Sequence, residues 1–85
     1  MRVLFRKWDS DDYFNGDIDA MFVDNKEDEK GNILCYAHVG HHGSGNLAYM
    51  LSKSVPATPD EYADLLQELR EVGYDDLEII TEEEI

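Results

Sequence analysis

Thr58-Pro59-Asp60-Glu61-Tyr62-Ala63-Asp64-Leu65-Leu66-Gln67-Glu68-Leu69-Arg70-Glu71-Val72-Gly73 carries a full set of helix signals in chain order. Thr58 is a cap residue, Pro59 suits the first helical position, and Glu61 stands where a capping box needs a carboxylate. Tyr62, Leu65, Leu66, Leu69 and Val72 recur at three- and four-residue steps, which makes one apolar stripe. Gly73 supplies a left-handed stop. Asp60, Glu61 and Asp64 also suit the positive end of the helix dipole. The segment therefore predicts an amphipathic helix from Thr58 to Val72 that needs an apolar surface to lie on.

That surface is sought upstream. Arg2 to Trp8 reads as a strand with Val3 and Phe5 on one face and Leu4 and Trp8 on the other. Residues 9–17 form a turn region containing Asn15-Gly16. Ile18 to Val23 is a second strand with Ile18, Ala20 and Phe22 on one face. A charged loop ends at Gly31-Asn32, and Ile33 to Val39 is a third strand. Gly40 to Asn46 is expected to break it. Leu47, Met50 and Leu51 fall at helical spacing, which predicts a short helix from Leu47 to Leu51. After the main helix, Leu77 to Ile80 is the last strand, entering by a right-handed crossover. The expected class is α+β: a mainly antiparallel sheet of about four strands, with the Thr58 to Val72 helix packed on one face.

Size and charge bound the function. Eighty-five residues make one domain, which buries only roughly 60% of the surface of its unfolded chain. Twenty Asp and Glu face seven Lys and Arg, giving a net charge of −13 and a pI near 4.2. Direct binding to nucleic acid, and to an anionic membrane surface, is disfavoured, because both draw on Lys and Arg. A basic protein surface is the natural complement. The acids are also segregated: nine lie in residues 9–29, eleven in residues 60–84, and none between Lys30 and Pro59. Cys35 has no disulfide partner, and the apolar run near the N-terminus is too short for a signal peptide or a membrane span. The expected setting is the cytoplasm.

Three segments resemble one group of small proteins encoded by bacteria, plasmids and phages. They are Val3-Leu4-Phe5-Arg6-Lys7-Trp8, Tyr36-Ala37-His38-Val39-Gly40-His41-His42-Gly43, and Pro56-Ala57-Thr58-Pro59-Asp60-Glu61-Tyr62-Ala63-Asp64-Leu65-Leu66 with Gly73-Tyr74-Asp75-Asp76-Leu77 after it. The resemblance covers most of the chain except its acidic loops. It brings no established activity and no catalytic residues. It implies a setting among the accessory genes of mobile elements.

No motif specifies a reaction, a cofactor or a metal. Cys35, His38, His41 and His42 have ligand chemistry but no second cysteine pair, and on a strand Cys35 and His38 point to opposite faces. Residues 9–19 hint at a calcium loop but lack oxygen ligands at required positions. Gly40 to Asn46 has no lysine of a phosphate loop and no nucleophile elbow. Its glycines predict a backbone concavity for a small anion or other ligand, with His38, His42, Gly43, Ser44 and Asn46 as contacts. Along the main helix Asp60, Asp64, Glu68, Glu71 and Asp75 recur every three or four residues. Their rows, about 5–6 Å apart along the axis, approach the spacing of phosphates on one nucleic-acid strand. The leading expectation is a non-enzymatic acidic binding protein of a mobile element. Its sharpest form is a nucleic-acid-mimicking inhibitor of a host nucleic-acid-handling or defence protein. A ligand-binding domain using residues 40–46 is the alternative.

Overall fold

The computed structural model describes all residues except 10–15 and 38–40. Four strands run in sequence as an antiparallel meander: β1 (Arg2–Trp8), β2 (Ile18–Lys26), β3 (Asn32–Ala37) and β4 (His41–Asn46). A short helix, α1 (Leu47–Ser52), leads to β5 (Ser54–Pro56), which returns to the free side of β1. The long helix α2 (Pro59–Val72) follows, then β6 (Glu78–Ile80) and a single 3₁₀ turn, Glu82–Glu84. The sheet order is β4-β3-β2-β1-β5, with β6 also beside β1.

The fold is α+β as the sequence predicts, but among the described residues the sheet has six strands rather than about four. β4 and β5 are the additions. Neither has a strand-like composition, since β4 is His-His-Gly-Ser-Gly-Asn and β5 holds a proline. Each is a strand because a better strand pairs with it: β3 templates β4 from Asn32↔Asn46 to Ala37↔His41, and β1 templates β5. β2 outruns its predicted end at Val23, because its register with β3 jumps between Phe22 and Lys26 and the extra residues bulge out.

Strand alternation sorts the side chains into two cores. On one face Val3, Phe5, Ala20, Phe22 and Tyr36 pack beneath Leu65 and Leu69 of α2. Phe5 stacks on Tyr62 with ring centroids 4.4 Å apart. On the other face Leu4, Met21, Val23, Ile33 and Cys35 pack with Met50 of α1 and Ile80. Both faces are thus covered, which explains the nearly unbroken apolar runs of β1 and β2. Val72, expected in the helix stripe, is half exposed at 51%, because the stripe turns away from the sheet in the last turn.

The ends of α2 follow their local signals. The Thr58 side chain accepts from the Glu61 backbone N–H, and the Glu61 carboxylate accepts from the Thr58 N–H at 2.9 Å. The same carboxylate binds Lys7 Nζ at 2.8 Å, and this bond, with the capping bond, holds Glu61 down to about 2. Gly73 ends the helix at a φ of 124°, where a side chain would be strained.

Two substitutions test this packing. Leu65→Ala should lower unfolding free energy by roughly 2–5 kcal/mol in urea titrations, as truncation of a core leucine does. Thr58→Ala should cost about 1 kcal/mol through the lost cap. A midpoint unmoved by Leu65→Ala would take α2 off the sheet.

Candidate functional site

The predicted ligand loop is a strand, and that changes what its residues can do. Cys35 pairs with Gly43 and Ile33 with Gly45, so both glycines lie on the α1 side of the sheet. Tyr36 pairs with His42 and Leu34 with Ser44, which places those two side chains on the α2 side. Gly43 and Gly45 are not among the glycines with positive φ, so the segment does not form the alternating backbone that cups an anion. Among the described residues, 41–46 therefore do not form the expected concavity, because ladder pairing with β3 claims their backbone; Gly40 lies outside the described residues.

Each predicted contact has another role or place. His42 meets Tyr36 edge-on at 4.7 Å and shares a 3.0 Å hydrogen bond with the Tyr74 hydroxyl. Asn46 caps α1, its Oδ1 accepting from the Tyr49 N–H at 2.9 Å while its Nδ2 donates to the Lys30 carbonyl. Ser44 is exposed. His38 lies outside the described residues, as does most of the calcium-like segment. Among the described residues, no three His, Cys, Asp or Glu side chains gather as a metal site. None of the described helices is long and apolar enough to cross a membrane.

What the glycines do create is space. On their side of the sheet lies a cavity of about 400 Å³ lined by Trp8, Asp19, Cys35, Gly43, Tyr49 and Met50, among others. A Cβ on Gly43 would meet nothing within 4 Å, whereas one on Gly45 would sit 2.8 Å from Met50 Sδ. Gly45 thus lets α1 close down, and Gly43 leaves the opening beside it.

Asp19 is the chemically unusual group here. It stands directly across from Arg6 on β1 and from Ala37 on β3, on the α1 side. Arg6 nevertheless turns away. Its guanidinium, buried with the rest of the residue at 3% exposure, donates to Ser54 Oγ (3.0 Å), the Ser54 carbonyl (2.6 Å), the Leu51 carbonyl (3.2 Å) and Glu82 Oε2 (3.3 Å). Asp19 keeps a hydrogen bond from the Trp8 side chain, whose only donor is the indole N–H, and one from the Ala20 backbone. Its Oδ1 is buried and has no hydrogen-bond partner among the described residues. Burial raises the carboxyl to about 6 despite those two bonds. Beside it, burial pushes the Cys35 thiol up to about 12, with the Asp19 charge adding to the effect. Cys35 is a protonated core thiol and no nucleophile. The arrangement offers a partly buried carboxylate that can exchange a proton near neutrality or hold a positive charge.

The acidic helix row is broken in its middle. Asp60, Asp64, Glu71 and Asp75 are exposed, but Glu68 is half buried and accepts a 2.6 Å bond from the Tyr36 hydroxyl. On the α2 side Asp64 and Glu61 line a cleft of about 430 Å³ together with Asp17, Ile18 and Leu65. Two acidic segments far apart in sequence converge there. Sequence reasoning named none of Asp19, Trp8 and Tyr49 as a site residue: it met Asp19 only in the calcium-like segment and Trp8 only as a strand residue. The available signal was Ile18-Asp19-Ala20-Met21-Phe22-Val23, one carboxylate inside an apolar strand. Comparison with protein-family models, with curated proteins and with solved structures gave no match.

The Asp19 environment carries a pH signature. Its folded pKa of about 6 lies above the ordinary 3.8, so its burial costs nothing below that lower value. Stability falls as pH rises through the window between the two and is constant above it. Asp19→Asn removes this loss while keeping an oxygen to accept from Trp8. Relative to the parent, the variant should gain about 3 kcal/mol of unfolding free energy between roughly pH 4 and pH 7. Urea titrations across that range measure it, and a pH-independent difference would mean Asp19 is solvated.

Proposed function

We propose that the protein is a non-enzymatic binding protein whose carboxylate surface engages a basic protein partner. The observation that carries this reading is the meeting of Asp17, Glu61 and Asp64 in one cleft on the α2 side, beside the exposed Asp60. The nearby cations are already engaged. Lys7 binds Glu61, Arg6 is buried against Glu82, and Arg2 grips both oxygens of Asp24 at 2.8 and 2.6 Å. A charge of −13 then steers a basic surface toward the molecule.

The accessory-gene setting rests on the resemblance of residues 3–8, 36–43 and 56–66. The sharper version of the proposal makes the partner a host nucleic-acid-handling protein whose phosphate-binding groove the carboxylates occupy. With Glu68 turned inward, that imitation falls to Asp60 and Asp64 near one end of α2 and to Glu71 and Asp75 at the other.

Affinity for a partner isolated on immobilised protein should fall steeply as salt rises from about 0.1 M, where charges are screened within about 10 Å. Changing Asp17, Asp60 and Asp64 together to Asn should weaken binding roughly tenfold, a loss typical of several exposed pairs. Glu27, Glu29 and Glu83 changed to Gln should do much less. Equal losses from both triple variants would reduce the protein to a diffuse polyanion, and no loss from either would remove the acidic-partner reading.

A further inference from the structure

We infer that the cavity on the α1 side of the sheet is a binding site for a cationic nitrogen group, an alkylammonium or a guanidinium, with Asp19 as its counter-charge and Trp8 and Tyr49 as its aromatic walls. The cavity shares Asp17 with the acidic cleft, but its counter-charge and its aromatic walls lie on the opposite side of the sheet from α2.

Four observations point to a cation. The first is the missing partner. Asp19 lines the cavity and, among the described residues, its Oδ1 has no donor, although a guanidinium starts from the position across from it on β1. Arg6 cannot supply the bond, because four acceptors on the far side of β1 hold it. A cation seated in the cavity supplies the counter-charge that Arg6 withholds, and a charged donor to a carboxylate makes the strongest such bond.

The second observation is shape. Gly43 carries no side chain, and a Cβ there would point into open space. About 400 Å³ is a normal size for a small-ligand pocket and ample for one amine or guanidine on a short alkyl stem. The third is the lining. Trp8 and Tyr49 present aromatic surface, Met50 is apolar, and Tyr49 is 56% exposed at the rim. Aromatic faces attract ammonium and guanidinium groups, most strongly where water is excluded. The indole N–H bond to Asp19 ties the Trp8 side chain to the same carboxylate.

The fourth observation is the field. Asp17 lines the same cavity, and the whole chain carries −13, so cations are concentrated here and anions repelled. This argues against the small anion that the glycines alone bring to mind. Cys35 stays a neutral thiol and does not compete for the cation. The cationic group can come from a free small amine or from a Lys or Arg side chain of a protein.

Trp8 is the only tryptophan and serves as the reporter. The intact chain is titrated at constant ionic strength with n-butylammonium or n-propylguanidinium chloride, with sodium chloride and neutral n-butanol as controls. The expected result is a saturable change in Trp8 fluorescence, and amide shifts at Asp19, Cys35 and Gly43, for the two cations alone. Asp19→Asn should weaken this by at least about tenfold. Gly43→Val should abolish saturation while preserving the circular dichroism spectrum, because a β-branched residue suits a strand and has room there. Gly43→Ala, which fills less, should weaken binding by a smaller factor. The Asp17, Asp60 and Asp64 triple variant is left out of this comparison because Asp17 lines the cavity; Asp60→Asn with Asp64→Asn should bind both cations as the parent does, so this site and the partner surface fail separately. Blocked tripeptides centred on Lys or Arg distinguish the source: tighter binding than the free cations means a protein side chain, and exclusion means a free amine. Absence of saturation in the parent, or saturation unaltered by both Asp19→Asn and Gly43→Val, overturns the assignment.

Discussion

The architecture depends on how one side of β1 is shared. β5 pairs antiparallel with its second half, from Arg6↔Pro56 to Trp8↔Ser54, while β6 pairs parallel with its first half, from Arg2↔Glu78 to Leu4↔Ile80. Two short strands of opposite direction thus meet beside one central strand, and Arg6 stands at the junction. A buried guanidinium is tolerated only when its donors are satisfied, and removing partners from such a group is strongly destabilising. Here Ser54 and Leu51 satisfy it from β5 and the end of α1, and Glu82 from the turn after β6. The Ser54 hydroxyl in turn donates to the Met50 carbonyl at 2.6 Å. One side chain thereby ties β5, the short helix and the C-terminal turn after β6 to the centre of the sheet.

That arrangement also shapes the cavity. Anchoring the end of α1 to Arg6 holds the helix across the α1 side of the sheet, with Met50 against Gly45. The same commitment leaves Asp19 without the counter-charge its cross-strand neighbour would otherwise provide. A stable junction and an unsatisfied carboxylate are two consequences of one rotamer choice. The cost is borne at neutral pH, where Asp19 is ionised and desolvated.

Charge segregation in the chain becomes spatial segregation in the fold. The acid-free stretch between Lys30 and Pro59 supplies β3, β4, α1 and β5. Among the described residues, the acids of 17–29 border the sheet at β2, and those of residues 60–84 cover α2 and the tail. The tail is itself docked: Arg2 donates to the Glu84 carbonyl at 2.8 Å and Arg6 meets Glu82. Its carboxylates therefore belong to the folded surface and add to the field that draws cations.

How much was legible in the chain differs element by element. α2 was, because Thr58, Pro59, Glu61 and Gly73 act on the backbone within a few residues of themselves, and the stripe at Leu65 and Leu69 needs no partner to be seen. The two faces of β1 and β2 were legible too, since alternation is a local geometric rule. β4 and β5 were not: Gly43, Gly45 and Pro56 argue against strands, and only hydrogen bonds from β3 and β1 make them so. Glu68 reads as one more outer carboxylate until the Tyr36 hydroxyl, 32 residues away, is brought to it. Asp19 is visible as an oddity in an apolar strand, yet its meaning came from Arg6 turning to Ser54, 48 residues on. By itself the sequence determined the fold class, the main helix, the faces of the first strands and the overall charge, all of which follow from interactions within a few residues or from composition. The tertiary structure alone decided the strand count, the cavity and the ionisation of its carboxylate, because each depends on which distant groups supply or withhold a hydrogen bond.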